Sequence, residues 1–242
     1  DGLKARILKI DANIIALNKP AGLAVQGGTG VKGNVDDMLD GLRFDFDERP
    51  RLVHRLDKDT SGVLILARTR LAAQALTEAF KKHLIRKKYW AVVVGKPEKK
   101  TDMIELPLIK KRQGKNEQVV SDLINGKYAK TCFRRIASNS NIASWLELSP
   151  LTGRTHQLRA HCALIGHPIL GDGKYGGQNA FIDNIPHDKK VHLHAREIEV
   201  VHPVIGKFVC RAPIPPHLIE AFSALGFDHE NQNLEIDPII IM

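Results

Sequence analysis

Short apolar runs rich in β-branched residues recur along this chain, separated by clusters of Gly, Lys, Asn and Asp. Asn13–Leu17, Val63–Ala67, Tyr89–Val94, Thr131–Ile136, Ala143–Leu148 and Val191–Val201 read as strands. Between them the period changes. In Thr69–His83 the apolar positions Ala72, Ala75, Leu76, Ala79 and Phe80 follow the i, i+3, i+4 spacing of a helix, with Thr69 placed to cap its start. A shorter helix is predicted over Thr155–Ile165, where Leu158, Cys162 and Ile165 make an apolar stripe and Arg159 lies beside it. A third follows Pro215-Pro216, because proline suits a first helical turn. Loops are expected at Gln26–Gly33, Lys96–Thr101, Gln113–Asn116 and Gly171–Ile185. Strands outnumber helices without regular βαβ alternation, so the predicted fold is α+β, a mixed, mainly antiparallel sheet with flanking helices.

Composition narrows the class. With 242 residues, 43% hydrophobic and 26% charged, the chain has the makings of a packed core and is not disordered. Cys132, Cys162 and Cys210 are odd in number and far apart, which fits neither a disulfide framework nor a zinc cluster and implies a reducing compartment. No apolar run approaches a membrane span, and the opening residues lack the apolar core of a signal peptide. The expectation is a cytoplasmic monomer, with the mitochondrial matrix as the other compartment. A chain opening at Asp1 without an initiator Met reads as a truncation.

Charge then adds a partner. The net charge is +9, but residues 81–135 alone hold sixteen Lys and Arg against five acids, while 217–242 hold five acids and neither Lys nor Arg. A basic middle points to a polyanion, most often a nucleic acid, or to a solvated basic face on an ordinary enzyme. The segment KKHLIRKKYW has no long amphipathic face, so a membrane partner is not expected.

Candidate chemistry concentrates in Leu52–Ala67, where Asp57 follows an apolar run and precedes the breakers Asp59-Thr60-Ser61-Gly62. That places Asp57 in a loop held from both sides by core segments, as catalytic side chains often are, although Asp57 or Asp59 could instead close an Asx-turn. Strand alternation puts Tyr89, Ala91 and Val93 on one face. His156, His161 and His167, and His192 with His194, lie close in sequence. Their spacing does not line ligands on one helical face and no carboxylate or Cys completes a set, so no metal is expected.

His54-Arg55-Leu56-Asp57 followed by Thr60-Ser61-Gly62 resembles the signature of the RluA-type pseudouridine synthases, which isomerise uridine in ribosomal and transfer RNA. Further segments agree in order: Asn18-Lys19-Pro20-Ala21-Gly22, Lys88-Tyr89-Trp90-Ala91, Gly153–His161 running on to Gly166–Asp172, and His192-Leu193-His194-Ala195 with His202-Pro203. The resemblance covers about residues 7–215. Ala24-Val25-Gln26-Gly27-Gly28 is most similar to the RluC subgroup, enzymes of large-subunit ribosomal RNA, although Gln26 stands where the subgroup usually has His.

The resemblance implies a pseudouridine synthase catalytic fold over 1–225, with the active-site cleft across the sheet; the charge pattern makes 226–242 an acidic tail. The resemblance also implies a small S4-type RNA-binding domain ahead of this chain. It makes Asp57, Tyr89 and Arg159 the catalytic residues: Asp57 as nucleophile or stabiliser, Tyr89 stacked on the uracil and active in proton transfer, and Arg159 as the cation that keeps Asp57 ionised. Arg55 is the residue expected to fill the vacancy left by a flipped base, with a structural ion pair as its alternative. His54, Lys19, Arg154, His156 and Leu193 complete the expected RNA and substrate contacts, Lys19 orienting the site floor or meeting a phosphate and Leu193 lining the pocket or packing in the core. The reaction breaks and remakes a glycosidic bond and imports neither electrons nor groups, so no cofactor is expected. A fold retained for RNA binding or ribosome assembly without chemistry, and the same chemistry on transfer RNA, are the alternatives.

Overall fold

The computed structural model describes residues 2–27, 33–113, 116–202 and 204–230. Most of the expected loop Gln26–Gly33, the centre of Gln113–Asn116, Pro203 and most of the acidic tail therefore lie outside the described residues.

In chain order the elements are β1 (Ile7–Ile10), β2 (Ile14–Lys19), β3 (Arg51–Leu52), β4 (Ser61–Ala67), α1 (Arg70–Lys81), β5 (Arg86–Val94), β6 (Thr101–Glu105), β7 (Leu108–Gln113), β8 (Asn116–Ser121), β9 (Lys130–Asn139), β10 (Ala143–Pro150), α2 (Gln157–Leu164), α3 (Gly173–Gly176), β11 (Leu193–His202), β12 (Gly206–Arg211) and α4 (Pro216–Leu225). Eight strands run in the order β1-β2-β4-β11-β5-β10-β9-β6, with β12 added to β11 and β3 to β4, while β7 and β8 form a separate hairpin. Every one of these pairings is antiparallel except β4 with β11. The α+β expectation therefore holds.

The six expected strands and three expected helices are present. The Thr69 hydroxyl accepts from the Ala72 N–H at 3.1 Å, as a capping threonine should. The helix expected from Thr155 starts at Gln157, because His156 takes a left-handed backbone (φ 50°, ψ 23°) that no helix can contain. The hairpin β7–β8 and the strands β1, β3, β6 and β12 were not anticipated. Their sequences are too polar or too short to stand out; β7 reads LIKKRQ and β3 has two residues. Gly171–Ile185, expected as loop, holds α3 and a further 3-10 turn, Gly177–Ala180.

Strand alternation sorts the core onto two faces. On one face Val63, Ile65 and Ala67 of β4 pack with Ala72, Leu76 and Ala79 of α1, and Trp90 and Val92 of β5 pack with Trp145 and with Leu218, Ala221 and Phe222 of α4. On the other, Leu64 and Leu66 meet Val35, Leu39 and Leu42, while Ala91 and Val93 meet Leu158 and Cys162 of α2. Tyr89 touches both clusters of this second face, so it sits at the seam between them. The folded part passes residue 225: Gly226 turns left-handed at φ 70° and delivers Phe227 into the cluster around Trp145.

One close approach fixes where the seam opens. The parallel contact of β4 with β11 pairs Gly62 with Ala195, and a Cβ on Gly62 would lie 2.2 Å from the Ala195 carbonyl oxygen. With φ at 111° as well, this position accepts only glycine. The Ser61 hydroxyl and His194 Nδ1, 2.9 Å apart, lock the neighbouring pair. The loop bearing Asp57 therefore leaves the sheet at a rigid point beside Tyr89, whose register partner is the same Ala195.

Candidate active site

Asp57 lies one turn before β4. Its main-chain carbonyl, rather than its carboxylate, closes that turn by accepting from Thr60 N–H at 3.1 Å. The Asx-turn alternative is thus not what the side chain does: among the described residues the carboxylate accepts no hydrogen bond and keeps 19% of its surface open. The loop is held from below by Lys19, which is 1% exposed and donates to the carbonyls of Pro20, Leu23 and Lys58 at 3.0, 2.8 and 3.0 Å. All three ammonium protons are used, so Lys19 orients the floor and has none left for a phosphate. Burial pulls its pKa from the ordinary 10.5 down to about 8, against the opposing pull of Asp59 and Asp57.

Arg159 projects from α2, buried. Its Nε and Nη2 donate to the two oxygens of Asp172, each at 2.7 Å, and its Nη1 lies 3.5 Å from Asp59. This corrects the expected pairing: the carboxylate that holds Arg159 is Asp172, and Asp57 reaches the guanidinium only through its field. Burial works against the charge, but Asp172, Asp59 and Asp57 together more than offset it and keep Arg159 protonated. The atom nearest Asp57 in this set is His156 Nε2, 3.8 Å from Oδ1.

Tyr89 keeps its phenolic proton. Burial, and then the charge of Asp57, push its pKa well above the ordinary 10. A side chain so tuned suits stacking and hydrogen-bond donation and does not suit a base at neutral pH.

The remaining expected contacts divide. Arg55 is exposed and makes no hydrogen bond or ion pair among the described residues, so the structural ion pair considered for it is absent there. His54 turns away from the site: its Nε2 accepts from Ile65 N–H at 2.9 Å, its ring stacks on Phe80 at 4.6 Å, and burial drives its pKa down to about 3. Through Nε2 it is a fixture of the sheet, which leaves only Nδ1 for the contact with RNA expected of it. Arg154 is exposed and donates from Nε to the Tyr128 carbonyl at 2.9 Å. Leu193 is 2% exposed and packs in the cluster that includes Tyr89.

Asp172 and Tyr175 were missed as site residues. The signal was a buried arginine, which requires a carboxylate, but thirteen residues separate Arg159 from Asp172 and only the α2–α3 fold-back brings them together. Gln157 was also overlooked. Its amide donates to Lys130 O and Thr131 Oγ1 and its oxygen accepts from Thr152 and from Arg154 N–H, which fixes the start of α2. The clustered histidines have separate occupations. His161 bridges Thr131 and Leu106, His167 faces the Val94 carbonyl, and His192 faces the carbonyls of Leu170, Lys190 and His217. Among the described residues no group of three or more His, Cys, Asp or Glu is placed to hold a metal.

A carboxylate, a neutral phenol and a carboxylate-held arginine thus converge on one seam, in the order of the motifs seen in the sequence. A family model described as RNA pseudouridylate synthase matches residues 13–164, which contain Asp57, Tyr89 and Arg159. The chain belongs to the RNA pseudouridylate synthase family. Among its relatives, RNA pseudouridine synthase 4, mitochondrial, of Arabidopsis thaliana is 45% identical over 194 residues, covering 71% of this chain and 41% of that protein. Ribosomal large subunit pseudouridine synthase C of Rickettsia typhi is 40% identical over 201 residues, covering 81% of this chain and 63% of that protein. The chain therefore spans about two fifths of the length of the first relative and just under two thirds of the second. Among solved structures, human RNA pseudouridylate synthase domain containing 4 superposes with a TM-score of 0.78 at 28% identity, covering 93% of this chain and 94% of that one. The α+β fold and the mainly antiparallel sheet are those of this family.

Proposed function

We propose that this chain isomerises uridine to pseudouridine in large-subunit ribosomal RNA, with Asp57 as nucleophile. The observation that carries the reading is convergence on one carboxylate. Lys19, Tyr89, and His156 with Arg159, from three separate segments, all feel the charge of Asp57. In this reading the N1–C1′ bond of a flipped-out uridine breaks, the uracil turns while held against Tyr89, C5 joins C1′ and the C5 proton leaves. Asp57 carries the electron-poor intermediate, as carboxylates do in other glycosyl chemistry. Arg159, fixed by Asp172, supplies positive charge without moving, and exposed Arg55 is free to enter the RNA. The target follows the relatives named for the large ribosomal subunit, and the presence of Asp57, Tyr89 and Arg159 together argues against a fold kept for assembly alone. The three cysteines are free and buried, which suits a reducing compartment such as the cytoplasm.

Tritium release from C5-labelled uridine in a large-subunit ribosomal RNA transcript tests the reading. Release above a no-enzyme control is expected. Folded, full-length protein that releases none from cognate RNA sinks it.

Affinity for that RNA is expected to depend on salt, though less steeply than the sixteen cations of residues 81–135 would give. Eight of them, among them Lys88, Lys110 and Arg134, already face acidic partners. About five phosphate contacts would give a slope near −4 in log affinity against log salt, by counterion release. Titrations between low and physiological salt read that slope, and a flat line would refute phosphate-driven binding.

A further inference from the structure

His156 occupies a left-handed backbone position, which non-glycine residues rarely hold, and the ring so placed bridges two groups. Its Nε2 lies 3.8 Å from Asp57 Oδ1 and its Nδ1 lies 2.7 Å from the Tyr175 hydroxyl. That hydroxyl is already an acceptor, because the backbone N–H of Val119 in β8 donates to it at 3.3 Å. A peptide N–H can only donate, and a phenol has one proton. With one acceptor position of the phenol taken by Val119, its single proton is available to point to Nδ1, the arrangement in which Nδ1 is the bare nitrogen of the ring.

We propose that Tyr175 is a positioning residue that holds neutral His156 as its Nε2–H tautomer, so that the ring offers Asp57 an uncharged hydrogen-bond donor. The inference rests on Asp57 being the working carboxylate. An uncharged donor has a specific advantage there. A cation in contact would weaken the carboxylate as a nucleophile, whereas an N–H orients it and leaves its charge in place. The 3.8 Å separation of the free protein needs to close by less than 1 Å to become a hydrogen bond, the kind of tightening a bound substrate brings.

The surroundings keep both groups in the required forms. Burial lowers the proton affinity of His156, Asp57 and Asp172 oppose it, and Arg159 and Lys174 add to it; the net shift is downward, so the ring is neutral at pH 7. Burial raises the Tyr175 phenol to about 12, so it retains the proton it donates. Arg159 also sits over the Tyr175 ring at 5.2 Å, which fixes the plane of the phenol. The chain Val119, Tyr175, His156, Asp57 thereby ties the β7–β8 hairpin to the reacting carboxylate.

Long-range proton–nitrogen correlation spectra of the full-length, nitrogen-15-labelled protein read the tautomer directly, with the His156→Gln variant assigning the ring. The wild type should show a protonated Nε2 and a bare Nδ1. In Tyr175→Phe the ring should become a mixture of tautomers, and kcat should fall about tenfold with KM for RNA unchanged, the loss of one oriented hydrogen bond. A protonated Nδ1 in the wild type, or an unchanged tautomer in Tyr175→Phe, overturns the proposal. Should Tyr175→Phe fail to fold, the wild-type spectrum alone decides. The spectrum requires no turnover, so a protein with the expected tautomer that forms no pseudouridine would count against the proposed function and leave the tautomer assignment standing.

Discussion

Asp57→Asn is expected to stop pseudouridine formation while leaving the protein as stable as before. The Asp57 carboxylate accepts no hydrogen bond among the described residues, and its turn is closed by its own main-chain carbonyl, so an amide of the same shape removes charge and disturbs no scaffold contact. What disappears is the negative charge that Lys19, His156 and Arg159 are arranged around. Losing a nucleophile should cost at least about 10³-fold in single-turnover rate, about 4 kcal/mol of transition-state stabilisation. Tritium release with enzyme in excess measures the rate, thermal unfolding measures stability, and filter binding measures RNA affinity, which should stay within about threefold because the phosphate contacts are untouched. A variant that keeps a tenth of the wild-type rate would show that Asp57 is not the nucleophile.

Much of this arrangement was legible along the chain, for local reasons. The helix after Thr69 declared itself through its spacing and its cap, and both act within a few residues. The placing of Tyr89, Ala91 and Val93 on one face followed from the two-residue period of a strand. What stayed hidden depends on contacts between distant segments. Nothing local says that Asp172, rather than Asp57, holds Arg159; both precede or follow it within motifs, and only the packing of α3 on α2 decides. His54 and His156 are both histidines in motif segments, yet one is stacked on Phe80 beneath the sheet and the other faces Asp57. The hairpin β7–β8 escaped because its strands are polar, and its partners, Ala160 and Tyr175, come much later in sequence.

Asp172→Ala is expected to damage folding and catalysis together, and a second substitution should separate the two. Side-chain exposure is 4% for Arg159 and 0% for Asp172, and two hydrogen bonds of 2.7 Å join them. Removing the carboxylate leaves a guanidinium in a dry site whose nearest remaining acid, Asp59, is 3.5 Å away and 47% exposed. Breaking a buried pair on one side typically costs about 3–5 kcal/mol, which for a chain of this size lowers the melting temperature by roughly 10 °C. Calorimetry of the purified variant checks the size. Combining it with Arg159→Met removes the stranded charge along with its partner, and because a buried ion pair contributes little net stability, the double variant should recover most of the lost melting temperature. Activity should not return, since the positive charge at the site is gone. Recovery of stability without activity would establish that Asp172 serves the reaction by holding Arg159 in place. Recovery of both would mean that the chemistry does not need this arginine, and failure to recover either would assign Asp172 a structural duty beyond the pair.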